Sequence, residues 1–347
     1  MIALEPYIKQ LAAEDEADRI YAAEDIGSTG QAEGVQPLLD RLPIESSRAV
    51  REAIFSAFLQ IRSNSVILGM LGLLDSEDPF LRNEAVEVLR ARDSKTIPFL
   101  VAAFRAGSSQ RRKFVLDVLA KLGGSGPGEI YDLALCDPDI NVVITAVENL
   151  GATRDIAFRS PIENLLSAAA EPMLLCACLQ ALAEIGNEDS VNAVRELLPG
   201  KKMPGYLKPS YLKLLGARGG PEGVEEVAGF LGQDGFEEYV LDALTCLQSR
   251  YPKLVLPIAL LRPLQNVVSH SHSRLPAYQA VRLVGSFLPV EEAFAFVEIC
   301  LVAAETPVRI AAVQALQELA SSRALGILND RLLEEKDEEV LQALARL

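Results

Sequence analysis

Tryptophan is absent from this chain, and histidine occurs only at positions 270 and 272. Two imidazoles one residue apart fall short of the three or four ligands a transition-metal site takes, and no Cys, Asp or Glu lies close in sequence to complete a set. His270 and His272 therefore read as part of an irregular polar loop, 262–276. Aromatics make up 6% of the 347 residues while half are hydrophobic. That balance favours many small helices of Ala, Leu and Val over an aromatic-rich β-sandwich. Long apolar runs are also missing. Stretches such as VILGMLGLL (66–74) reach about half the length of a membrane helix. The opening MIALEPYIKQLAAEDEAD lacks the basic region and apolar core of a secretory signal. No membrane contact and a cytoplasmic location are expected. The five cysteines, Cys136, Cys176, Cys178, Cys246 and Cys300, are odd in number and four sit in apolar helical patterns, as expected of free core thiols in a reducing compartment.

Positive charge is scarce. Against 48 acidic residues stand 33 basic ones, a formal charge of −15, which disfavours a phosphate backbone as partner. The clusters Arg105, Arg111, Arg112, Lys113 and Lys201, Lys202, Lys208, Lys213 read as solvated surface. Signatures of chemistry are missing as well. GGSGPGE (123–129) has neither the Walker lysine nor the spaced glycines of a dinucleotide loop, and Cys176-x-Cys178 is not a C-x-x-C redox pair. There is no nucleophile elbow, zincin helix or kinase set. No catalytic, metal or cofactor residue is assigned, and a non-enzyme without cofactor is expected.

What the chain does have is repetition. The five-residue core AVEVL at Ala85 returns as AAEDI (Ala22), IFSAF (Ile54), VLDVL (Val115), AVENL (Ala146), CLQAL (Cys178), YLKLL (Tyr211), VLDAL (Val240), AVRLV (Ala280), AVQAL (Ala312) and VLQAL (Val340). The eleven recurrences are spaced by 28–33 residues, with one interval of 40. Each unit holds two apolar-periodic stretches joined by a turn, which specifies a helical hairpin. Seven residues before the core runs a capping column: Asp15, Ser47, Asp78, Ser108, Asp139, Glu171, Ser273 and Glu305. An oxygen there satisfies free N–H groups of the first helical turn, and a carboxylate suits the helix dipole. Pro79 and Pro172 follow two of the caps, where proline is tolerated. Three residues before the core stand Arg19, Arg51, Arg82, Arg112 and Arg309, with Lys208 a weaker member. Each can reach an acidic group in its own or a neighbouring turn, forming a structural ladder that sets the register.

The stretches DPFLRNEAVEVL (78–89) and TPVRIAAVQALQEL (306–319), with Pro37 and Pro98 in the preceding helices, resemble the HEAT repeat, and more narrowly the bacterial variety found in phycobilisome lyase subunits. The resemblance runs over nearly the whole chain. It implies an all-α, right-handed superhelix of about ten to eleven hairpins, one continuous array over 1–347. A bend is expected at 198–209 and an irregular insertion at 262–276. The ladder lacks its basic residue at Val143, Leu175, Glu237, Ala277 and Asp337, where stacking should be least regular.

A solenoid works through its faces. The third core position should point outward, and reads Glu24, Ser56, Glu87, Asp117, Glu148, then Gln180, Lys213, Asp242, Arg282, Gln314 and Gln342. One turn earlier on the same face stand Tyr21, Glu84, Phe114, Thr145 and Tyr239. In the family this second helix lines the concave side, so the resemblance implies an acidic, aromatic-dotted groove in the N-terminal half. Tyr21, Glu24, Glu84, Glu87, Phe114, Asp117 and Glu148 are its expected partner-binding residues, and a basic or amphipathic protein segment the expected occupant. Its function would be that of a non-catalytic scaffold or adaptor. The alternative from the narrower resemblance is a lyase-type, chromophore-handling subunit.

Overall fold

The computed structural model describes residues 3–122, 128–198, 203–233, 235–270, 274–287, 290–319 and 321–345. Their contacts divide at Phe158/Arg159 into two compact units. The first is built from five helical hairpins: α1 (Glu5–Gln10) with α2 (Glu16–Thr29), α3 (Val35–Arg41) with α4 (Arg48–Gln60), α5 (Asn64–Leu73) with α6 (Pro79–Arg90), α7 (Ile97–Ala106) with α8 (Ser109–Leu122), and α9 (Gly128–Leu135) with α10 (Ile140–Thr153). The second has six: α11 (Arg159–Ala168) with α12 (Pro172–Ile185), α13 (Glu188–Leu197) with α14 (Lys208–Arg218), α15 (Gly223–Ala228) with α16 (Glu237–Arg250), α17 (Leu261–His270) with α18 (Arg274–Val284), α19 (Glu291–Cys300) with α20 (Thr306–Leu319), and α21 (Ser322–Glu334) with α22 (Glu338–Leu344). No strand occurs among the described residues. Both units have the all-α architecture of stacked hairpins that the repeat specifies.

Each recurrent core lies on the second helix of its hairpin and faces inward. On α6, Leu81, Ala85, Val86, Val88 and Leu89 are buried, each larger side chain contributing roughly 1.5–3 kcal/mol by leaving water. The caps form as the sequence indicates. Asp15 accepts from the Ala17 N–H at 2.7 Å, Asp78 from Phe80 at 2.9 Å and Asp139 from Asn141 at 2.9 Å. Ser47 accepts from Val50 at 3.3 Å. Glu171 occupies the cap position of α12 without a side-chain cap bond; its extra methylene carries the carboxylate past the N–H groups a shorter Asp or Ser reaches.

The arginine column is a ladder that joins successive hairpins. Arg19 donates to the Ala13 and Glu14 carbonyls of its own turn and to both oxygens of Glu45 in the next hairpin, at 2.9 and 3.1 Å. Arg51 donates to Asp78 at 2.8 Å, Arg112 grips Asp137 at 2.6 and 2.7 Å, and Arg309 reaches Glu335 and Asp337. Arg82 donates to its own Ser76 carbonyl and lays its guanidinium 5.6 Å from the Phe114 ring centre.

Two expectations are corrected. Residues 261–270 and 274–284 are helical, not an extended loop. Pro263 and Pro276 both fall in a first turn, where the N–H they lack has no helical partner. The extra length of the 40-residue interval lies instead in the non-helical stretch 251–257 and the short 3-10 turn Ile258–Leu260. The cysteines are also less uniform than expected. Cys178 and Cys300 are buried, whereas Cys136 and Cys246 are exposed and Cys176 is intermediate. Residues 123–127 of the glycine-rich turn, 199–202 of the expected bend, and His272 and Ser273 lie outside the described residues.

Candidate functional site

The acidic face of the first unit is carried by its second helices. Tyr21 and Glu24 on α2 are exposed, as is Glu148 on α10. Glu84 and Glu87 on α6, with Phe114 and Asp117 on α8, are half-buried, because neighbouring second helices lean over them. Among the described residues no hydrogen bond or ion pair ties Tyr21 or Glu24 to the others.

Between α4 and α6 the face opens into a cavity of about 280 Å³. Glu52, Glu84 and Glu87 rim it, and Phe55, Leu59 and Val88 form an apolar floor. The carboxylates differ in how they are balanced. Glu87 accepts from Lys121 at 3.0 Å and Arg90 at 2.8 Å, and these cations hold its carboxyl below the ordinary range. Glu84 has no such partner: burial, then the charges of Glu87 and Glu52, push it up. Glu148 is likewise raised by burial and by the charge of Asp117, and Asp117 itself is raised by burial. Arg48 offsets part of the rise for Glu84, and Asn149, Lys121 and Lys113 part of it for Asp117; carboxylates still held up by burial gain from an arriving cation. Phe114 presents only part of its ring, since Arg82 covers one side.

A larger cavity, of about 660 Å³, lies in the second unit along α12, α14, α16 and α18. Gln180, Lys213 and Asp242, the outward third positions, line it together with Ser210, Tyr239, Thr245, Cys246 and Gln279. Lys213 pairs with Glu184 at 3.1 Å, and Gln279 donates to Asp242. The Thr245 hydroxyl and the Gln279 amide oxygen are buried without a partner. Cys246 is no ready nucleophile, because burial and then Asp242 raise its thiol. The sequence named four of these residues, Gln180, Lys213, Tyr239 and Asp242, as outward-facing but gave no sign of a cavity, which four hairpins line. Among the described residues, no three His, Cys, Asp or Glu side chains gather as a metal centre, and no helix is long and apolar enough to cross a membrane.

Residues 4–90 match the HEAT repeats family. No curated protein matches the chain in sequence. Among solved structures, importin beta superposes with a TM-score of 0.64 at 13% identity, over 95% of this chain and 54% of that one. Kap95p, described as binding RanGDP and inducing its switch loops to adopt the GTP-bound conformation, gives 0.63 at 14% identity over 99% and 56%. The complex of CpcE and CpcF of phycocyanin lyase from Nostoc sp. PCC7120 is matched over 72% of this chain and 95% of that one at 18% identity, with a TM-score of 0.30, too low to argue from. The chain thus spans about half the length of the importin beta it resembles. That likeness establishes the HEAT-type α-solenoid fold and nothing about the ligand.

Proposed function

We propose that this HEAT-repeat chain is a non-catalytic protein-interaction scaffold, one continuous array that receives a basic or amphipathic segment of a partner on the second-helix face of its first unit. The observation that carries the reading is the cavity between α4 and α6, where Glu52, Glu84 and Glu87 rim an apolar floor of Phe55, Leu59 and Val88. An amphipathic segment fits such a place twice over. Its apolar side chains cover the floor, and its cations offset the burial and the neighbouring acids that raise Glu84. Tyr21, exposed on α2, and the uncovered part of Phe114 supply aromatic anchors. Glu24, Asp117 and Glu148 extend the acidic track and steer the approach.

The test is fluorescence anisotropy with a labelled amphipathic peptide carrying four lysines on one face, at low and physiological salt. Glu84→Lys with Glu148→Lys is expected to weaken binding about tenfold or more at low salt, on the scale of roughly 1 kcal/mol per exposed pair. Lys121→Ala, which releases Glu87 from its internal partner, is expected to tighten it. Unchanged affinity in both variants would remove the acidic groove from the proposal. Uptake of an open-chain tetrapyrrole with visible absorbance, and no affinity for the peptide, would replace the scaffold by the chromophore-handling alternative.

A further inference from the structure

Three cations meet where α4 ends, α5 begins and α6 ends. Arg62, Arg92 and Lys95 line an open-sided cavity of about 220 Å³, with Ser63 and Asn64 at the start of α5. In a chain with 48 acidic residues, no carboxylate is among the described side chains that line this cavity, the side chain of Asp93 lying outside those described. Several exposed cations elsewhere have acidic partners: Arg48 pairs with Glu52, Arg105 with Glu129 and Lys121 with Glu87. Exposed Lys9, Lys253 and Lys336 have no ion pair among the described residues but line no shared cavity there. Arg62 and Lys95 make no ion pair or hydrogen bond among the described residues.

Arg92 has a structural duty as well. One of its η nitrogens donates to the Phe58 carbonyl near the end of α4. Arg218 does the same for the Ala183 and Glu184 carbonyls, and Arg250 for those of Gly216 and Gly219, so an arginine closing the previous second helix is a recurrent device. That duty explains one bond of Arg92. It leaves the Arg92 Nε buried without a partner, and it explains neither Arg62 nor Lys95. Burial, and then the charge of Arg62, weaken Arg92's hold on its proton. Like charges held together at a concave place, with a buried donor left over, are a site that lacks its counter-charge.

We propose that this cavity binds a tetrahedral oxyanion, the phosphoryl group of a phosphate monoester or of inorganic phosphate. The free guanidinium fork of Arg62, the uncommitted η nitrogen of Arg92 and the Lys95 ammonium suit a group of charge near −2 with three accepting oxygens. A carboxylate would leave one cation unmatched. The start of α5 adds the positive end of a ten-residue helix. Leu59 and Ala91 are shared with the acidic cavity between α4 and α6, so a phosphorylated residue at one end of a segment lying there would reach the cations. The site does not depend on that groove being used, and its test does not use the basic peptide.

Isothermal titration of the full chain with inorganic phosphate, and separately with O-phosphoserine, in low-ionic-strength chloride buffer tests the proposal. Saturable binding at one site is expected for at least one probe. Arg62→Ala with Lys95→Ala is expected to weaken it at least tenfold while leaving helicity and the melting temperature in chloride unchanged, since both side chains are exposed and unpaired. A charge-matched control, Arg105→Ala with Lys336→Ala, is expected to retain affinity. Tighter binding of phosphoserine assigns the site to a protein-borne phosphoryl group, and equal or tighter binding of phosphate assigns it to the free ion. No saturable heat with either probe, or equal loss in the control variant, would overturn it.

Discussion

Glu45 shows how much one side chain does in a repeat. Its carboxylate is wholly covered, accepts from Arg19 at 2.9 Å, from Arg41 at 2.7 Å and from the Ser47 N–H at 2.8 Å, and so joins two hairpins and a cap. Burial works to raise its pKa. The hydrogen bonds from Arg19, the Ser47 N–H and Arg41 outweigh that and hold it at about 2, against an ordinary 4.5. The device returns in the second unit with the same spacing: Glu335 accepts from Arg309, Arg331 and the Asp337 N–H and is also held at about 2. A carboxyl whose folded pKa is depressed contributes stability that is complete above its unfolded pKa and is lost as pH falls through the folded value. Stability should therefore decline between about pH 4.5 and pH 2 as these two groups protonate. Glu45→Gln is expected to cost about 3–5 kcal/mol at pH 7, because Arg19 and Arg41 are left without their shared anion. The same variant should flatten the decline across the acid window; urea denaturation at pH 7, 4.5 and 3 measures both effects.

At the scale of elements, the spacing of second helices within each unit is set in part by the residue five past the start of the core. At Gly27, Gly216 and Gly285 the next helix comes close: a Cβ on Gly27 would lie 2.7 Å from the Ala57 Cα, one on Gly216 2.8 Å from the Ala243 Cα, and one on Gly285 2.8 Å from the Ala315 Cβ. Where that residue is Leu59, α4 and α6 pack least extensively among the second helices of the first unit, and there the acidic cavity opens. Alanine in a helix is ordinarily favoured over glycine by about 1 kcal/mol. Gly27→Ala is expected to reverse that sign and destabilise by about 1–3 kcal/mol through overpacking. Ala57→Gly in the same background should restore only part of the loss, since the Ala57 Cα remains in the way; chemical denaturation of the single and double variants decides it. The same contrast separates what was legible in the sequence from what was not. Caps and arginines were legible because their chemistry acts within one turn at fixed spacing. The partners of those arginines were not, since Glu45 and Asp137 lie 26 and 25 residues away from theirs. The outward acids could be named, but the pairing of Glu87 with Lys121 and of Phe114 with Arg82 arises only when one hairpin stacks on the next. The cavities depend on volumes matched across a whole repeat, which no single stretch of chain encodes.

For the molecule as a whole, a repeat array implies that stability is assembled from neighbour to neighbour. Each unit closes its own core, with the Arg19–Glu45–Arg41 cluster in the first and the Arg309–Glu335–Arg331 cluster in the second. The clusters share no residue, and their elements are separated by several hairpins of sequence. A lesion in one should therefore open its own neighbourhood far more than a distant one. Native-state hydrogen exchange on the Glu45→Gln variant reads this directly. Amides of α2 and α4 are expected to lose protection by the full cost of the lesion, about two to four orders of magnitude in exchange rate. Amides of α20 and α22 should keep theirs within a factor of about three. Equal loss in α20 and α22 would mean that residues 1–347 open as one cooperative block, and the additive account of this array would then have to give way to a single global transition.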